Sequence, residues 1–307
     1  MRQASPSERA AERMAARLPS LLIAAARVAD TVSQGLHGRR RAGQGDSFWQ
    51  FRPYEAGDSA QRIDWRQTAK AERPQIRETE WTAAQKVWLW RDATASMEYR
   101  SDLASATKRE RAELLLLAAA ILLLRGGEDV GLLSGGAAPS NDRGTADRLA
   151  AGLMQPDSQD GADHTRQGTG GPRDLPPPYP LPRHAQLILA GDFLAPLDTV
   201  NDALRDFAAR GVHGHIVQIL DPAEETLPFA GRRRFEGLED DGSVLIRRAE
   251  RLRDGYRQRI EAQRAGLATI ARRLGWTFLT HRTDRPPETV LLALHQALSA
   301  PPEANPW

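Results

Sequence analysis

The sequence predicts an α/β fold: a mostly parallel sheet with helices on both faces, plus an N-terminal helix and an aromatic-rich segment. Three observations carry this expectation. Residues 87–90 and 187–190 are short apolar runs, as strands buried on both faces require. Such runs alternate along the chain with longer stretches of helical period. Residues 114–124 are apolar on every side, as a helix packed centrally against a sheet should be. Strands alternating with helices imply crossover connections and parallel pairing.

The elements follow in order. Ser5-Pro6-Ser7-Glu8 reads as a helix start, with Ser5 as cap, Pro6 in the first turn and Glu8 reaching back. Met14, Leu18, Leu21, Leu22, Ala25, Val28, Ala29 and Val32 then recur at helical spacing, interrupted by Pro19. Glu8 and Glu12 stand where a secretory leader would be positive, so the stretch is read as an amphipathic helix that docks on the main domain. Phe48, Trp49, Phe51, Tyr54, Trp65 and Trp81 make residues 46–82 a folded segment, because such side chains bury large areas. Residues 75–81 read as a strand.

The main domain opens with strand 87–90, ending at Asp92, and a helix over 103–124 stopped by Gly126-Gly127. Strand 130–133 and helix 145–154 follow. Residues 155–183 are rich in proline, glycine and aspartate and read as a long loop. Strand 187–190 ends at Asp192, helix 197–210 follows, and strand 216–220 ends at Asp221. A hairpin is expected from 232–235 and 244–247, then a helix over 248–274, a strand over 276–280 and a helix over 288–298. The expected division is residues 1–84, packing on the main domain, and residues 85–300, the α/β domain.

Composition excludes several functions. The chain has 307 residues, 40% hydrophobic and 27% charged, with no cysteine. Cysteine catalysis, zinc ribbons, iron–sulfur clusters and disulfide scaffolds drop out. The longest apolar run, 114–124, is far short of the roughly 20 residues a bilayer requires, so no membrane span is expected. There is no phosphate-binding loop, no dinucleotide fingerprint and no Gly-x-Ser-x-Gly elbow. His213 and His215 are read as surface or loop histidines.

Chemistry is concentrated in Asp92-Ala93-Thr94-Ala95-Ser96, at the end of the first buried strand. Ligands of parallel α/β sheets bind outside the carboxyl ends of the strands. One carboxylate and two hydroxyls, two residues apart, can turn their oxygens toward one point. Magnesium prefers such hard oxygen ligands, and Asp192 can add a second carboxylate. The bland alternative is helix capping by Thr94 or Ser96, with Asp92 bonding backbone amides; spacing alone favours it. An aspartyl-phosphate phosphatase would need a second acid where Thr94 stands. A magnesium-dependent phosphohydrolase using Asp92 and Asp192 is the competing enzyme reading.

Two charged regions remain. Asp58, Arg62, Asp64 and Arg66 surround Trp65 and read as a structural clamp, with planar guanidinium forks on carboxylates. Nine arginines against three acids lie between 247 and 273. They read first as a solvated helix face, second as a surface for an acidic partner through Arg251, Arg257 and Arg264, and third as a nucleic-acid face. Aromatic interleaving is thin there, so no nucleic acid is expected.

Asp92-x-Thr94-x-Ser96-Met97 resembles the metal-ion-dependent adhesion site of von Willebrand factor A domains, with Thr94 in place of a serine and Gly191-Asp192 resembling the later aspartate. The resemblance implies Mg²⁺ or Mn²⁺ held by Asp92, Thr94, Ser96, a loop threonine and Asp192. Thr145 is the candidate threonine, with Thr165 and Thr169 competing. The stretch Arg52-Pro53-Tyr54-Glu55-Ala56-Gly57-Asp58 through Asp64-Trp65-Arg66 resembles the signature of the domain-of-unknown-function-58 family. So do Asp221-Pro222-Ala223-Glu224-Glu225, Pro228-Phe229-x-Gly231, Arg248-Ala249-Glu250 and Gly275-Trp276. The resemblance runs from about Gly38 nearly to the end. It implies a von Willebrand factor A-like fold and a non-catalytic adaptor that presents a client protein to a MoxR-type AAA+ ATPase. Many members carry two transmembrane helices near the N-terminus; this chain shows none and is expected to be a cytoplasmic version.

Overall fold

The structure, a computed structural model, describes residues 6–37, 48–54, 63–71, 73–79, 84–155, 174–238 and 242–299. In 6–15, 35–37, 48–52 and 76–79 only the backbone is described. The chain divides into two compact units, one within Gly35–Ala84 and the other comprising the helix before it and everything from Gln85 onward. The first helix, α1 (Pro6–His37), is continuous through Pro19 rather than interrupted there.

In the smaller unit, β1 (Phe48–Pro53) pairs antiparallel with β2 (Gln75–Thr79), with a bulge between Phe48 and Gln50. Between them lies the single turn α2 (Trp65–Thr68). Asp64 caps it, its Oδ1 accepting from the Gln67 amide at 2.9 Å. Thr68 Oγ1 accepts from the Gln75 amide at 2.9 Å, tying that turn to β2.

The larger unit continues with β3 (Lys86–Arg91), α3 (Lys108–Arg125), β4 (Asp129–Leu132), α4 (Thr145–Met154), β5 (Gln186–Gly191) and α5 (Leu197–Ala209). Then come β6 (His213–Leu220), α6 (Pro222–Thr226), β7 (Arg233–Glu236), β8 (Ser243–Ile246), α7 (Arg253–Leu274), β9 (Thr277–Arg282) and α8 (Pro287–Ser299). The five-stranded sheet has the order β4-β3-β5-β6-β9, and every neighbouring pair is parallel. The expected α/β class is therefore observed. Helix α3 contacts α4 and α8, and α5 contacts α7, giving a helical layer on each face.

Local chemistry sets the boundaries. Helix α3 begins at Lys108, later than the apolar pattern suggests, because Thr107 and Glu110 form a reciprocal capping box. Leu116 and Leu117 on this helix are fully buried, each stabilising by about 2 kcal/mol relative to exposure. Arg17 of α1 lies 3.4 Å from Glu110, and Asp30 lies 2.6 Å from Arg125, so α1 runs beside α3 in the same direction. Its residues Ala25, Val28, Ala29 and Val32 are buried.

Trp88, Trp90, Leu187, Leu189 and Ile216 project from the sheet onto Leu204, Phe207, Leu267 and Ala271 of α5 and α7. The indole of Trp276 lies against β6, where a Cβ at Gly214 would sit 1.9 Å from its ring. His215 corrects an expectation: it is buried on β6, not at the surface, and its Nε2 is 2.9 Å from Gln186 Oε1. Burial, then the neighbouring His213, push its pKa down to about 4. No described helix is long and apolar enough to cross a membrane.

Candidate functional site

Strand order creates the site. From β3 the chain passes to β4 on one side, and β5 then takes the other side of β3. The carboxyl ends of β3 and β5 therefore border the crevice where connection direction reverses, the place ligands occupy in open α/β sheets. Asp92 follows β3, its amide donating to Ala190 O of β5 at 2.9 Å. Asp192 follows β5. A Cβ on Gly191 would fall 2.9 Å from the Asp92 Cβ, so glycine allows the two turns to approach.

The turn after β5 is unusual. Phe193, fully buried, has φ 51°, a left-handed conformation costing a side-chain-bearing residue about 1 kcal/mol or more. Its surroundings fix it. Gln218 Nε2 donates to Asp192 O at 2.9 Å, and Gln263 Nε2 donates to Phe193 O at 2.9 Å and Ala195 O at 2.8 Å.

Four of the residues singled out from the sequence form one hydrogen-bonded chain. Asp92 Oδ1 accepts from the Thr94 amide at 2.9 Å and from Thr94 Oγ1 at 2.6 Å. Thr94 Oγ1 lies 3.0 Å from Ser96 Oγ, which donates to Asp192 Oδ2 at 2.8 Å. With Asp92 ionised, both hydroxyl protons in this chain point at carboxylates, leaving none between the two hydroxyl oxygens. With Asp92 protonated, every link can carry a proton. Asp92 Oδ2 is buried and has no hydrogen-bond partner among the described residues. Burial, then the charge of Asp192, push the Asp92 pKa up to about 7, against the hydrogen bonds from Thr94.

Thr145 is not hydrogen-bonded to this chain. It is buried at the start of α4, and its hydroxyl bonds Ser140, Asp142 and Arg148 of its own turn. Thr165 and Thr169 lie outside the described residues. In the expected clamp, Asp58 and Arg62 likewise lie outside them. Asp64 is engaged by a backbone amide, Trp65 is 68% exposed and Arg66 is exposed. Of the possible partner surface, Arg251 and Arg257 are exposed, whereas Arg264 donates to Glu225 at 2.8 Å.

Sequence reasoning missed the cation already present. Lys108, at the start of α3, is fully buried, and its Nζ lies 2.8 Å from Asp192 Oδ2 and 2.6 Å from Glu224 Oε1. Burial opposes its charge, but Asp192 and Glu224 outweigh that and hold its pKa above the ordinary lysine value. Glu224 has a second duty: its Oε2 accepts from the Asp221 amide at 2.8 Å, completing the capping box of α6. Asp221 in turn accepts from the Ala223 amide at 2.8 Å and the Ser101 amide at 3.0 Å. The motif Asp221-Pro222-Ala223-Glu224 is thus a helix start that delivers a carboxylate to Lys108. A signal for Lys108 was available: lysine occurs only at 70, 86 and 108 among 42 basic residues. A compact ammonium fits between two carboxylates where a planar guanidinium does not.

Among the described residues no group of three or more His, Asp or Glu side chains is arranged to hold a metal ion. The donor set nevertheless fits a hard divalent cation. It offers two hydroxyls, the buried Asp92 Oδ2, which has no hydrogen-bond partner among the described residues, and the carboxyl groups of Asp92, Asp192 and Glu224, of which Lys108 contacts the last two.

Residues 50–266 match the model of the family described as "Protein of unknown function DUF58". Over 283 residues the chain is 29% identical to the uncharacterized protein Mb1516 of Mycobacterium bovis and to the uncharacterized protein Rv1480 of Mycobacterium tuberculosis. Each alignment covers 89% of this chain and 86% of the relative. Among solved structures, the conserved hypothetical protein BatB from Bacteroides thetaiotaomicron aligns with a TM-score of 0.37 at 17% identity, over 70% of this chain and 98% of that one. With the family model spanning most of its length, this chain belongs to the DUF58 family.

Proposed function

We propose that this chain is a non-catalytic protein-interaction module of von Willebrand factor A-like design, an adaptor that works with a MoxR-type AAA+ ATPase. Its binding edge is the crevice between β3 and β5, where Asp92, Thr94, Ser96 and Asp192 would hold Mg²⁺ or Mn²⁺. A bound cation supplies an open coordination position for an acidic side chain of the partner. One observation carries this reading: the four side chains form a single chain of contacts of 2.6 to 3.0 Å that ends on Asp92 Oδ1, and the other oxygen of that carboxyl, Oδ2, is buried with no hydrogen-bond partner among the described residues. The protein's own residues do the rest. Lys108 holds Asp192 and Glu224 in place, Gly191 lets the two turns close up, and the Phe193 turn aims Asp192 into the crevice.

The sequence has no phosphate-binding loop, so an ATPase partner would have to supply any driving force; family resemblance suggests the MoxR type. The phosphohydrolase alternative asks Asp92 to act as nucleophile. A nucleophilic Asp92 would have to be ionised, as would an Asp92 that holds a cation. Thr94 stands where the general acid would be needed. The test pairs two measurements: co-purification of a candidate ATPase with and without chelator, and phosphate release from aryl phosphate with magnesium. Chelator-sensitive co-purification without turnover supports the module. Turnover that is lost in Asp92→Asn would overturn it in favour of an enzyme.

A further inference from the structure

Strand β7 has one edge paired and one edge open. It pairs antiparallel with β8, Arg234 opposite Leu245 and Phe235 opposite Val244, and these two strands make up their whole sheet. Just past the strand, the Gly237 amide donates to Gly242 O at 2.8 Å. In an antiparallel ladder such bonded pairs alternate with unbonded ones. Arg233 and Phe235 therefore bond β8, and the N–H and C=O groups of Arg234 and Glu236 point the other way. Among the described residues no backbone hydrogen bond reaches them there. A groove of about 910 Å³ runs beside the strand, lined by all four of its residues. An edge left open in this way is a template for another strand.

The side chains select which strand. Alternation puts the exposed Arg234 and Glu236 on one face, and Arg233 and Phe235 on the other. Two copies of β7 can meet antiparallel about a two-fold axis at Phe235. Arg234 then stands opposite the partner's Glu236, and Glu236 opposite the partner's Arg234. These are the hydrogen-bonded pairs, using the open N–H and C=O groups of both copies. On the other face the two Phe235 rings meet across the axis, each already edge-on to its own Phe229 at 5.6 Å. The smallest slip that keeps the faces matched is two residues. It sets Arg234 against the partner's Arg234, or Glu236 against the partner's Glu236. Opposite charges across strands stabilise and like charges destabilise, so these charges select one register.

The groove is complementary to the same strand. Its lining sets Asp174, Asp192, Glu224 and Glu236 against Arg233 and Arg234. One carboxyl group stays in excess when Lys108, which bonds Asp192 and Glu224, is counted with them. The stretch from Arg232 to Glu236 of a second copy brings three guanidinium groups and one carboxyl group.

We propose that this chain self-associates through β7, two copies joining antiparallel into one four-stranded sheet, β8-β7-β7-β8, with the two-fold axis at Phe235. The contact is isologous, each copy giving the same patch. One strand pair buries little surface, which places the dimer at the weak, transient end of association. It requires no metal ion.

Sedimentation velocity of the full chain from ~5 to ~500 µM tests this, a range suited to weak association. Wild type should pass from monomer to dimer. Arg234→Glu alone, or Glu236→Arg alone, puts like charges opposite at both pairs and should weaken the dimer ~10-fold or more. An equimolar mixture of those two variants should restore it, because each glutamate of one then faces an arginine of the other. The chain has no cysteine, so a second measurement reads the register. Oxidation of Phe235→Cys should give a disulfide dimer, its two thiols lying directly opposite. Arg234→Cys should not, its two positions being diagonal and more than about 7 Å apart. A monomer across the whole range, a dimer indifferent to the single reversals, a mixture that fails to restore it, or equal cross-linking of both cysteine variants would each overturn the proposal.

Discussion

Lys108 Nζ lies 2.8 Å from Asp192 Oδ2, and the ammonium is sealed from solvent. Desolvating a lysine is costly, and the cost is offset here by two carboxylates, since Glu224 Oε1 lies 2.6 Å away on the other side. The pair therefore locks the first turn of α3 to the turn after β5 and to the start of α6.

Removal of that ammonium leaves the buried Asp192 and the half-buried Glu224 carboxylates without a counter-charge. Lys108→Met should destabilise the protein by about 3–5 kcal/mol. Urea denaturation at pH 7 measures it. A loss below about 1 kcal/mol, the value of an exposed pair, would show that the site is more hydrated than the structure implies.

Asp92 behaves in the opposite sense. Its carboxyl is raised from 3.8 to about 7, first by burial and then by Asp192. Between those values the native chain holds a proton that the unfolded chain has released. The stability this supplies is full below about pH 4 and is lost as pH rises through about 7. Asp92→Asn is neutral throughout and keeps an oxygen for the Thr94 donors. In chelator it should match wild type near pH 4 and exceed it at pH 8 by about 2 kcal/mol, at 1.4 kcal/mol per pKa unit with allowance for relaxation. A less stable variant at pH 8 would show that the ionised carboxylate is welcome there without metal.

The sequence made some of this legible and hid the rest for physical reasons. Residues 87–90 and 187–190 are apolar and short, and both emerged as central strands, because burial on both faces writes itself into composition. The Thr107/Glu110 capping box is written in the sequence as a Thr-x-x-Glu signature, and it sets the start of α3 at Lys108. Asp92, Thr94 and Ser96 come together because their separation is local. Their meeting with Asp192 depends on β3 and β5 being neighbours, which was anticipated only by analogy with α/β sheets. Lys108 and Glu224 sit 116 residues apart, and no local pattern announces such a pair. Thr145 stands at a helix start, where the resemblance places a loop threonine, yet its hydroxyl is occupied by its own turn.

Buried His215 should contribute acid sensitivity. Its pKa is lowered from 6.5 to about 4, chiefly by burial. The unfolded chain takes up a proton in that interval while the native ring stays neutral. Stability is therefore full above about pH 6.5 and falls as pH drops toward 4, by up to about 3 kcal/mol. His215→Gln should flatten that part of the pH–stability curve. In wild type, NMR titration should show the His215 ring unprotonated at pH 5; a midpoint near 6.5 would contradict its burial.

In the smaller unit, Asp64 caps a single turn. Asp64→Ala should cost about 1 kcal/mol, the usual value of an N-cap, and should speed hydrogen exchange at the Gln67 amide. A loss of about 3 kcal/mol would instead mark a buried partner for this carboxylate.

The proposed cation seat between β3 and β5 is tested most directly by calorimetric titration of Mn²⁺ into metal-stripped protein at neutral pH, wild type beside Asp92→Asn. Asp92 must lose its proton to serve as a ligand. Wild type should therefore show saturable one-site heat that varies with the buffer's ionisation enthalpy, and the variant should bind ~10-fold or more weakly. Superimposable traces from the two proteins, or no saturable heat from wild type, would contradict a metal site at this edge.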